Sequence, residues 1–165
     1  MIVVALGGNL PSRYGGPRET IEAALAELAR RAIRPVRSSP FYRSAPVPAS
    51  SQPDYVNAVA EIATTLAPAS LLDVLHQIEY DFGRRRALLN EARILDLDLI
   101  DYHGIVSVPG AVPELPHPRM HERTFVLIPL VALAPDWRHP VSGLTAAELL
   151  AALPATAREA CHLDR

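Results

Sequence analysis

The chain has 165 residues, of which 49% are apolar and 21% are charged, a composition typical of a single folded domain with a substantial core. Its net charge is -2 and all 16 basic residues are Arg. General nucleic-acid binding is therefore not expected, and the chemistry of a P-loop lysine or a lysine Schiff base is excluded. Any phosphate binding must come from Arg, from backbone amides or from a metal ion.

Cysteine content and hydropathy indicate which kind of protein and which compartment to expect. Cys161 is the only cysteine, so neither an intrachain disulfide nor a cysteine zinc cluster is expected. No apolar run approaches the roughly 20 residues that span a bilayer, and the first ten residues predict a strand rather than a secretion signal. We expect one cytoplasmic domain over residues 1–165, without membrane or nucleic-acid partners.

Hydrophobic periodicity predicts alternating strands and helices in the first part of the chain. In order, they are a strand over 2–7, a helix over 18–32, an irregular strand over 34–43, a strand over 55–65, a helix over 67–83 and a strand over 93–102. The glycines and Asn9 after the first strand predict a tight turn. The order β-α-β-β-α-β favours a ferredoxin-like α+β fold, an antiparallel sheet with helices on one face.

The rest of the chain adds to this unit. A Pro-rich loop covers 108–120, and a helical segment follows over 122–135. Thr145 and Glu148 match the spacing of a capping box, which predicts a short terminal helix. The absence of repeats and of a low-complexity linker favours one domain.

Two carboxylates interrupt the apolar strand at 93–102. Because side chains alternate along a strand, Asp96 and Asp98 point to the same face while the neighbouring leucines point to the other. This pair could bind hard cations such as Mg²⁺, or it could form the solvent side of a half-buried strand. Apolar residues on both sides indicate partial burial, and buried carboxylates need partners, most simply cations.

Arginine and histidine residues lie near this pair in sequence. Arg84, Arg85 and Arg86 follow a predicted helix, and Arg93 opens the acidic strand. They could complement the helix dipole, or they could bind a triphosphate through bidentate guanidinium groups. His117 and Arg123, further along the chain, are open to the same two interpretations, as surface residues or as phosphate ligands. No HExxH pattern is present, so zinc is discounted.

Few aromatic residues are available for ligand stacking. Tyr55 and Phe125 each lie near the boundary of a predicted element, where core packing and stacking on a flat heteroaromatic ligand are both open. Asn57 lies two residues after Tyr55 and hence on the same face of the strand. Its amide could hydrogen-bond to the edge of such a ring.

Several separated motifs occur together and in order: LGGNL, FYRSAPV, QPDYVNAV, IEYDFGRRR, RILDLDLI and LPHPRMHERTFVLIPL. From Val3 to about Trp137 the chain closely resembles the 6-hydroxymethyl-7,8-dihydropterin pyrophosphokinases of folate biosynthesis. The resemblance implies a ferredoxin-like domain with three α/β/α layers and C-terminal additions, usually monomeric. It also implies Mg²⁺-dependent transfer of the pyrophosphoryl group of ATP to the pterin hydroxymethyl group, with release of AMP.

The resemblance assigns roles residue by residue. Asp96 and Asp98 would hold two Mg²⁺ ions and, with Arg84 and Arg93, would form the catalytic set. The positions that match ATP-binding residues are Arg84, Arg93, His117 and Arg123, with Glu79 near the same site. The positions that match pterin-binding residues are Tyr55 and Phe125 as stacking rings, Asn57 as the amide that reads the ring edge, and Ser44, Ala45 and Val47 in the loop.

Three positions depart from the family pattern: Gly8 stands where Ser is frequent, Pro118 follows His117 where an aromatic or polar residue can occur, and the link before the acidic strand differs. Many members carry Arg-Trp-Gly-Pro-Arg-Thr before the acidic strand, where this chain has Leu89-Asn90-Glu91-Ala92-Arg93-Ile94 in a link that is one residue shorter. In the family this loop closes over the substrates and its Trp covers the pterin. We therefore expect the cover that the link over 83–92 would provide to be absent or differently built here.

Two other functions compete with the pyrophosphokinase. A Mg²⁺-dependent phosphohydrolase or nucleotidyl transferase could use the same acids, but it would need no pterin pocket. A ferredoxin-like binding or regulatory module would show no Mg²⁺ dependence. Neutralising Asp96 would then affect nothing beyond stability.

Overall fold

The computed structural model describes residues 1–84 and 92–165. Its strands are β1 (Ile2–Gly8), β2 (Arg34–Ser38), β3 (Tyr42–Ser44), β4 (Tyr55–Ala63), β5 (Asp96–Tyr102) and β6 (Cys161–Leu163). Its helices are α1 (Pro17–Arg30), α2 (Pro68–Asp81), α3 (Thr124–Leu133), α4 (Ala146–Ala151) and α5 (Ala155–Glu159). The predicted α+β class is confirmed.

The strands form one antiparallel sheet, as predicted. β1 lies between β5 and β4, β4 also pairs with β2 and β3, and β6 pairs with β3. At one end of the sheet, Gly7 is the partner of Asn57 on β4 and of Asp96 on β5. This register brings the first residues of β4 and β5 beside the last residues of β1, and most of the predicted site residues lie at this end.

The two faces of the sheet bury separate apolar clusters, because side chains alternate along each strand. One cluster packs strand residues such as Val4 against Leu28 of α1 and Leu75 of α2. The other packs residues such as Val59 against Leu127 of α3 and against α4. The C-terminal additions thus cover the second face. No helix in the two described ranges has the length and apolar content that crossing a membrane requires.

The irregular strand predicted over 34–43 is two strands, β2 and β3, which both pair with β4. Ser39, between them, donates its backbone N–H to the Val59 carbonyl (2.9 Å) and accepts the Val59 N–H at its hydroxyl (3.0 Å). Pro40 follows and has no N–H for a ladder bond, so the pairing is interrupted there.

Smaller differences lie at the element ends. The first helix ends at Arg30 rather than at Ala32, whose φ of 59° is outside the helical region. The second helix ends at Asp81. The predicted capping box is confirmed, because the side chains of Thr145 and Glu148 bond reciprocally to each other's backbone N–H groups. β6 was not predicted.

Candidate functional site

The acidic pair lies on the face of β5 opposite to its buried leucines. Leu97 and Leu99 belong to the cluster under α1 and α2, whereas the carboxylates of Asp96 and Asp98 are 26% and 32% exposed. Because both residues lie on one strand with one residue between them, the backbone fixes the direction of both side chains. Each carboxylate is partly buried, and each is paired with guanidinium groups.

Asp96 is held between two arginines. Arg84, just beyond α2, donates from Nη1 to Asp96 Oδ1 (2.5 Å), and Arg93 donates from its own Nη1 to Asp96 Oδ2 (2.9 Å). The side chains of Arg84 and Arg93 are only 17% and 23% exposed. Two cations therefore converge on one carboxylate at the mouth of the site. The structure thus brings together three of the four residues predicted as catalytic.

The buried carboxylate of Glu79 supports this group of charged side chains. It lies in the last turn of α2, is 2% exposed, accepts the backbone N–H of Leu97 (2.7 Å) and makes a short ion pair with Arg84. A buried carboxylate needs such partners, and in return it fixes the guanidinium of Arg84 against β5. Glu79 thus acts on the site through Arg84 and through the strand between the two acids.

Asp98 has a separate set of partners. Arg123, immediately before α3, donates from Nη1 to Asp98 Oδ2 (2.8 Å), and His117 Nε2 lies 3.9 Å from the same oxygen. Burial lowers the pKa of His117, and the charges of Arg123 and Arg119 lower it further, although Asp98 opposes them. The imidazole is therefore neutral at neutral pH. Its Nδ1 accepts the backbone N–H of Arg119 (3.2 Å), which leaves the proton on Nε2, facing Asp98.

Beside Asp98 and His117, a cavity of about 240 Å³ opens between α2 and the Pro-rich loop. Leu72 and the segment from Ala111 to Glu114 form much of its wall. A larger cleft of about 570 Å³ runs along β6 at the other edge of the sheet. We place the functional site at the smaller cavity, because Asp98 and His117 line it and Asp96 lies two residues before Asp98 on the same strand. The charged groups along β6, where Asp164 pairs with Arg18 and Arg43, include none of the residues predicted for the site.

The predicted pterin residues occupy the neighbouring part of the same sheet end. Asn57 donates from Nδ2 to the Ser44 hydroxyl (3.0 Å), and both side chains are almost fully buried. Tyr55 lies on the same face of β4, and burial raises the pKa of its phenol. Phe125 is half-buried at the start of α3, with the Arg123 guanidinium carbon 5.5 Å from its ring centroid.

The remaining predictions for this site divide into two groups. Ala45 and Val47 lie in the loop after β3 and are exposed, so the structure does not bring their side chains into the cluster. Arg85, Arg86 and most of the link that lacks the family Trp lie outside the described residues. Sequence reasoning assigned no role to Asn9, which contacts both Arg93 and the segment before Tyr55. In the sequence, only the LGGN motif, which ends at Asn9, pointed to this residue.

No group of three or more acidic, His or Cys residues suited to a metal occurs in the described ranges. Two carboxylates remain as candidate metal ligands, and their hard oxygen atoms and partial exposure suit Mg²⁺. Such a metal would need further oxygen ligands, from water or from phosphate. Acids that can hold a metal beside arginines that can bind phosphate are the groups that phosphate-transfer sites use.

Comparison with known proteins identifies the family. The chain belongs to the 7,8-dihydro-6-hydroxymethylpterin-pyrophosphokinase (HPPK) family, whose profile matches residues 3–135. It is 44% identical over 155 residues to a Pseudomonas aeruginosa protein named 2-amino-4-hydroxy-6-hydroxymethyldihydropteridine pyrophosphokinase, covering 93% of this chain and 91% of that one. A Synechocystis protein of the same name is 42% identical over 156 residues, which cover 94% of this chain and 77% of the relative.

A solved structure supports the fold. A Plasmodium falciparum HPPK-DHPS crystal structure superposes with a TM-score of 0.65 at 13% identity. The match covers 91% of this chain and 41% of the Plasmodium chain. At this identity the likeness concerns the fold alone, and the sequence relatives establish the family.

Proposed function

We propose that this protein transfers the pyrophosphoryl group of ATP to the hydroxymethyl oxygen of 6-hydroxymethyl-7,8-dihydropterin in folate biosynthesis, and that it releases AMP. The observation that carries the proposal is the pairing of Asp96 and Asp98 with Arg84, Arg93 and Arg123 at the sheet end, in a chain of the HPPK family. In the reaction, the pterin oxygen bonds to the β-phosphorus. The bond from that phosphorus to the oxygen it shares with the α-phosphate breaks.

Asp96 and Asp98 would hold two Mg²⁺ ions between the protein and the triphosphate. Bound there, the ions would supply neutralisation of the charge on the phosphate oxygens. The carboxylates are reachable, because each keeps a partly exposed side chain. Their present arginine partners are suited to move to phosphate, since guanidinium groups bind carboxylates and phosphates with the same fork of donors.

Arg84, Arg93 and Arg123 would bind the triphosphate, and Glu79 would hold Arg84 in place. His117 is neutral and keeps a proton on Nε2, so it would donate a hydrogen bond to a phosphate oxygen rather than contribute charge. The cavity beside it, walled by Leu72 and the Ala111 segment, would receive the adenine. Apolar walls suit a flat aromatic base.

The pterin would occupy the end of β4. Tyr55 and Phe125 would contact the faces of the ring, since both lie on the α3 face of the sheet. The Asn57 amide would hydrogen-bond to the edge of the pterin ring, and the Ser44 hydroxyl would fix the orientation of that amide. Ala45 and Val47 would contribute backbone groups, which is compatible with the exposure of their side chains.

Three further features belong to the proposal. The strand order β5-β1-β4 followed by β2 and β3 supports a ferredoxin-like topology. The two apolar clusters, one on each side of the sheet, support a three-layer α/β/α arrangement. We expect residues 1–165 to act as one monomeric domain in the cytoplasm.

The decisive experiment measures AMP release from ATP and Mg²⁺ with and without the pterin. Pterin-dependent AMP, matched by pyrophosphorylated pterin, is expected. ATP breakdown that ignores the pterin would instead favour a phosphohydrolase, and a folded protein that releases no AMP would favour a binding module. Asp98→Asn should lower turnover by about a hundredfold or more, because metal-ion catalysis contributes several kcal/mol. The exposed Asp136→Asn is the matched control.

A further inference from the structure

Asn9 is a buried polar residue in the turn that follows β1. It is 2% exposed, and its amide bonds to two separate segments of the chain. Nδ2 donates to Gln52 Oε1 (3.1 Å) and to the Pro53 carbonyl (3.0 Å), while Oδ1 accepts the backbone N–H of Arg93 (2.8 Å). The backbone N–H of Asn9 also donates to the Arg93 carbonyl (2.9 Å). Both amide hydrogens and the amide oxygen are therefore used.

The two segments carry different halves of the proposed site. On one side, Arg93 binds Asp96, which belongs to the phosphate and metal half. On the other side, Gln52 accepts a long hydrogen bond from the Tyr55 hydroxyl (3.4 Å), and Pro53 closes the loop that leads into Tyr55. Asn9 is thus hydrogen-bonded both to the backbone of Arg93 and to the segment that leads into Tyr55.

Close backbone packing at Gly8 holds the turn that carries Asn9 against the Arg93–Ile94 segment. A Cβ atom added to Gly8 would lie 2.3 Å from the carbonyl oxygen of Ile94, which is far inside van der Waals contact. Only glycine allows the turn to approach the Arg93–Ile94 backbone this closely. Gly8 thus allows the turn to contact the Arg93–Ile94 backbone. The hydrogen bonds of the Asn9 amide then fix the position of the turn against that backbone.

We propose that Asn9 is a positioning residue that sets the spacing between the phosphate-binding Arg93 and the pterin-binding Tyr55. The inference rests on the proposed function. An amide is required because the position needs two donors and one acceptor at the same end of a short side chain. Displacements of about 1 Å at reacting groups can reduce turnover by about a hundredfold, so a buried residue without substrate contact can control the rate.

Two substitutions separate the two halves. Asn9→Asp keeps an acceptor for the Arg93 N–H but loses both donors to the loop, so it should raise the pterin KM about tenfold. Its KM for ATP should change by less than about twofold. Asn9→Ala loses the bonds to both segments, and it should raise both KM values and lower kcat by about tenfold or more.

The control is Thr145→Ala, which removes the capping box of α4, whose hydrogen bonds join Thr145 and Glu148. It should lower the melting temperature while leaving both KM values and kcat unchanged. If Asn9→Ala also lowers only the melting temperature, Asn9 is structural and the inference is wrong. Equal effects of Asn9→Asp on the two KM values would also overturn it. An unmodified protein without pterin-dependent AMP release overturns the proposed function first, and the inference with it.

Discussion

Removal of Arg123 should change metal binding and turnover in opposite directions. In the structure Arg123 occupies an oxygen of Asp98, at 2.8 Å, that the proposed function assigns to Mg²⁺. Under that proposal, arginine and metal would compete for the same carboxylate until a bound triphosphate drew the guanidinium away. Arg123→Gln should bind Mg²⁺ or Mn²⁺ more tightly in the absence of nucleotide. It should nevertheless turn over more slowly, because a phosphate ligand is lost.

The size of the effect follows from the geometry of the pair. Two unit charges about 4 Å apart interact by about 4 kcal/mol at an effective dielectric constant of about 20. The two side chains are 17% and 32% exposed, and pairs in solvent contribute only about 0–1 kcal/mol, so the Coulomb value must be reduced. We expect about 1–2 kcal/mol, which corresponds to metal binding about 5- to 30-fold tighter.

Paramagnetic titration with Mn²⁺ measures this affinity directly, without ATP or pterin. Arg37→Gln is the matched control, because it removes the same charge from an ion pair with Glu61 at the far end of the sheet. Unchanged Mn²⁺ affinity in Arg123→Gln would refute the competition. An equal gain in Arg37→Gln would refute it as well, since net charge alone would then explain the change.

Three further predictions address other parts of the molecule. Phe125→Ala should weaken pterin binding, followed by ligand titration, by about 1–3 kcal/mol, whereas unchanged affinity would assign the ring to the core. Burial raises the pKa of Cys161 to about 11, so thiol reagents should react at pH 8 only after unfolding. Burial raises the pKa of Asp164, but hydrogen bonds from Arg43 and Arg18 outweigh it and hold the pKa below its usual value. Asp164 thus contributes stability that is present above the unfolded pKa of about 4 and lost as pH falls through the folded value. Asp164→Asn should accordingly lose less stability than the unmodified protein in acid denaturation.

Local periodicity was sufficient to predict the strand that carries the acids. The direction of Asp96 and Asp98 depends only on the alternation of side chains along β5, and the burial of Leu97 and Leu99 follows the same rule. The capping box at Thr145 is equally local, since its bonds join residues three positions apart. Features of this kind are encoded within a few residues and can be predicted from sequence.

Contacts between distant segments could not be predicted in the same way. Asp164 pairs with Arg18 across 146 positions, and these bonds help to hold β6 at the edge of β3. Asn9 is 84 positions from Arg93, and its role depends on three segments meeting at one point. The arginines posed a different difficulty. Their chemistry suits phosphate and carboxylate alike, so the sequence could not show that they pair with the acids.

The charge balance of the site explains why these arginines and acids occur together. Among the site residues that the structure describes, the carboxylates of Asp96, Asp98 and Glu79 face the guanidinium groups of Arg84, Arg93 and Arg123 in equal number, and His117 adds no charge. In the proposed complex, ATP would bring about four negative charges, and two Mg²⁺ ions would bring the same number of positive ones. The loaded site would then be as neutral as the empty one. On substrate binding, the arginines would exchange carboxylates for phosphates, and the carboxylates would exchange arginines for metal ions. No charge would then be left without a partner in this partly buried site, where an unpaired charge is costly.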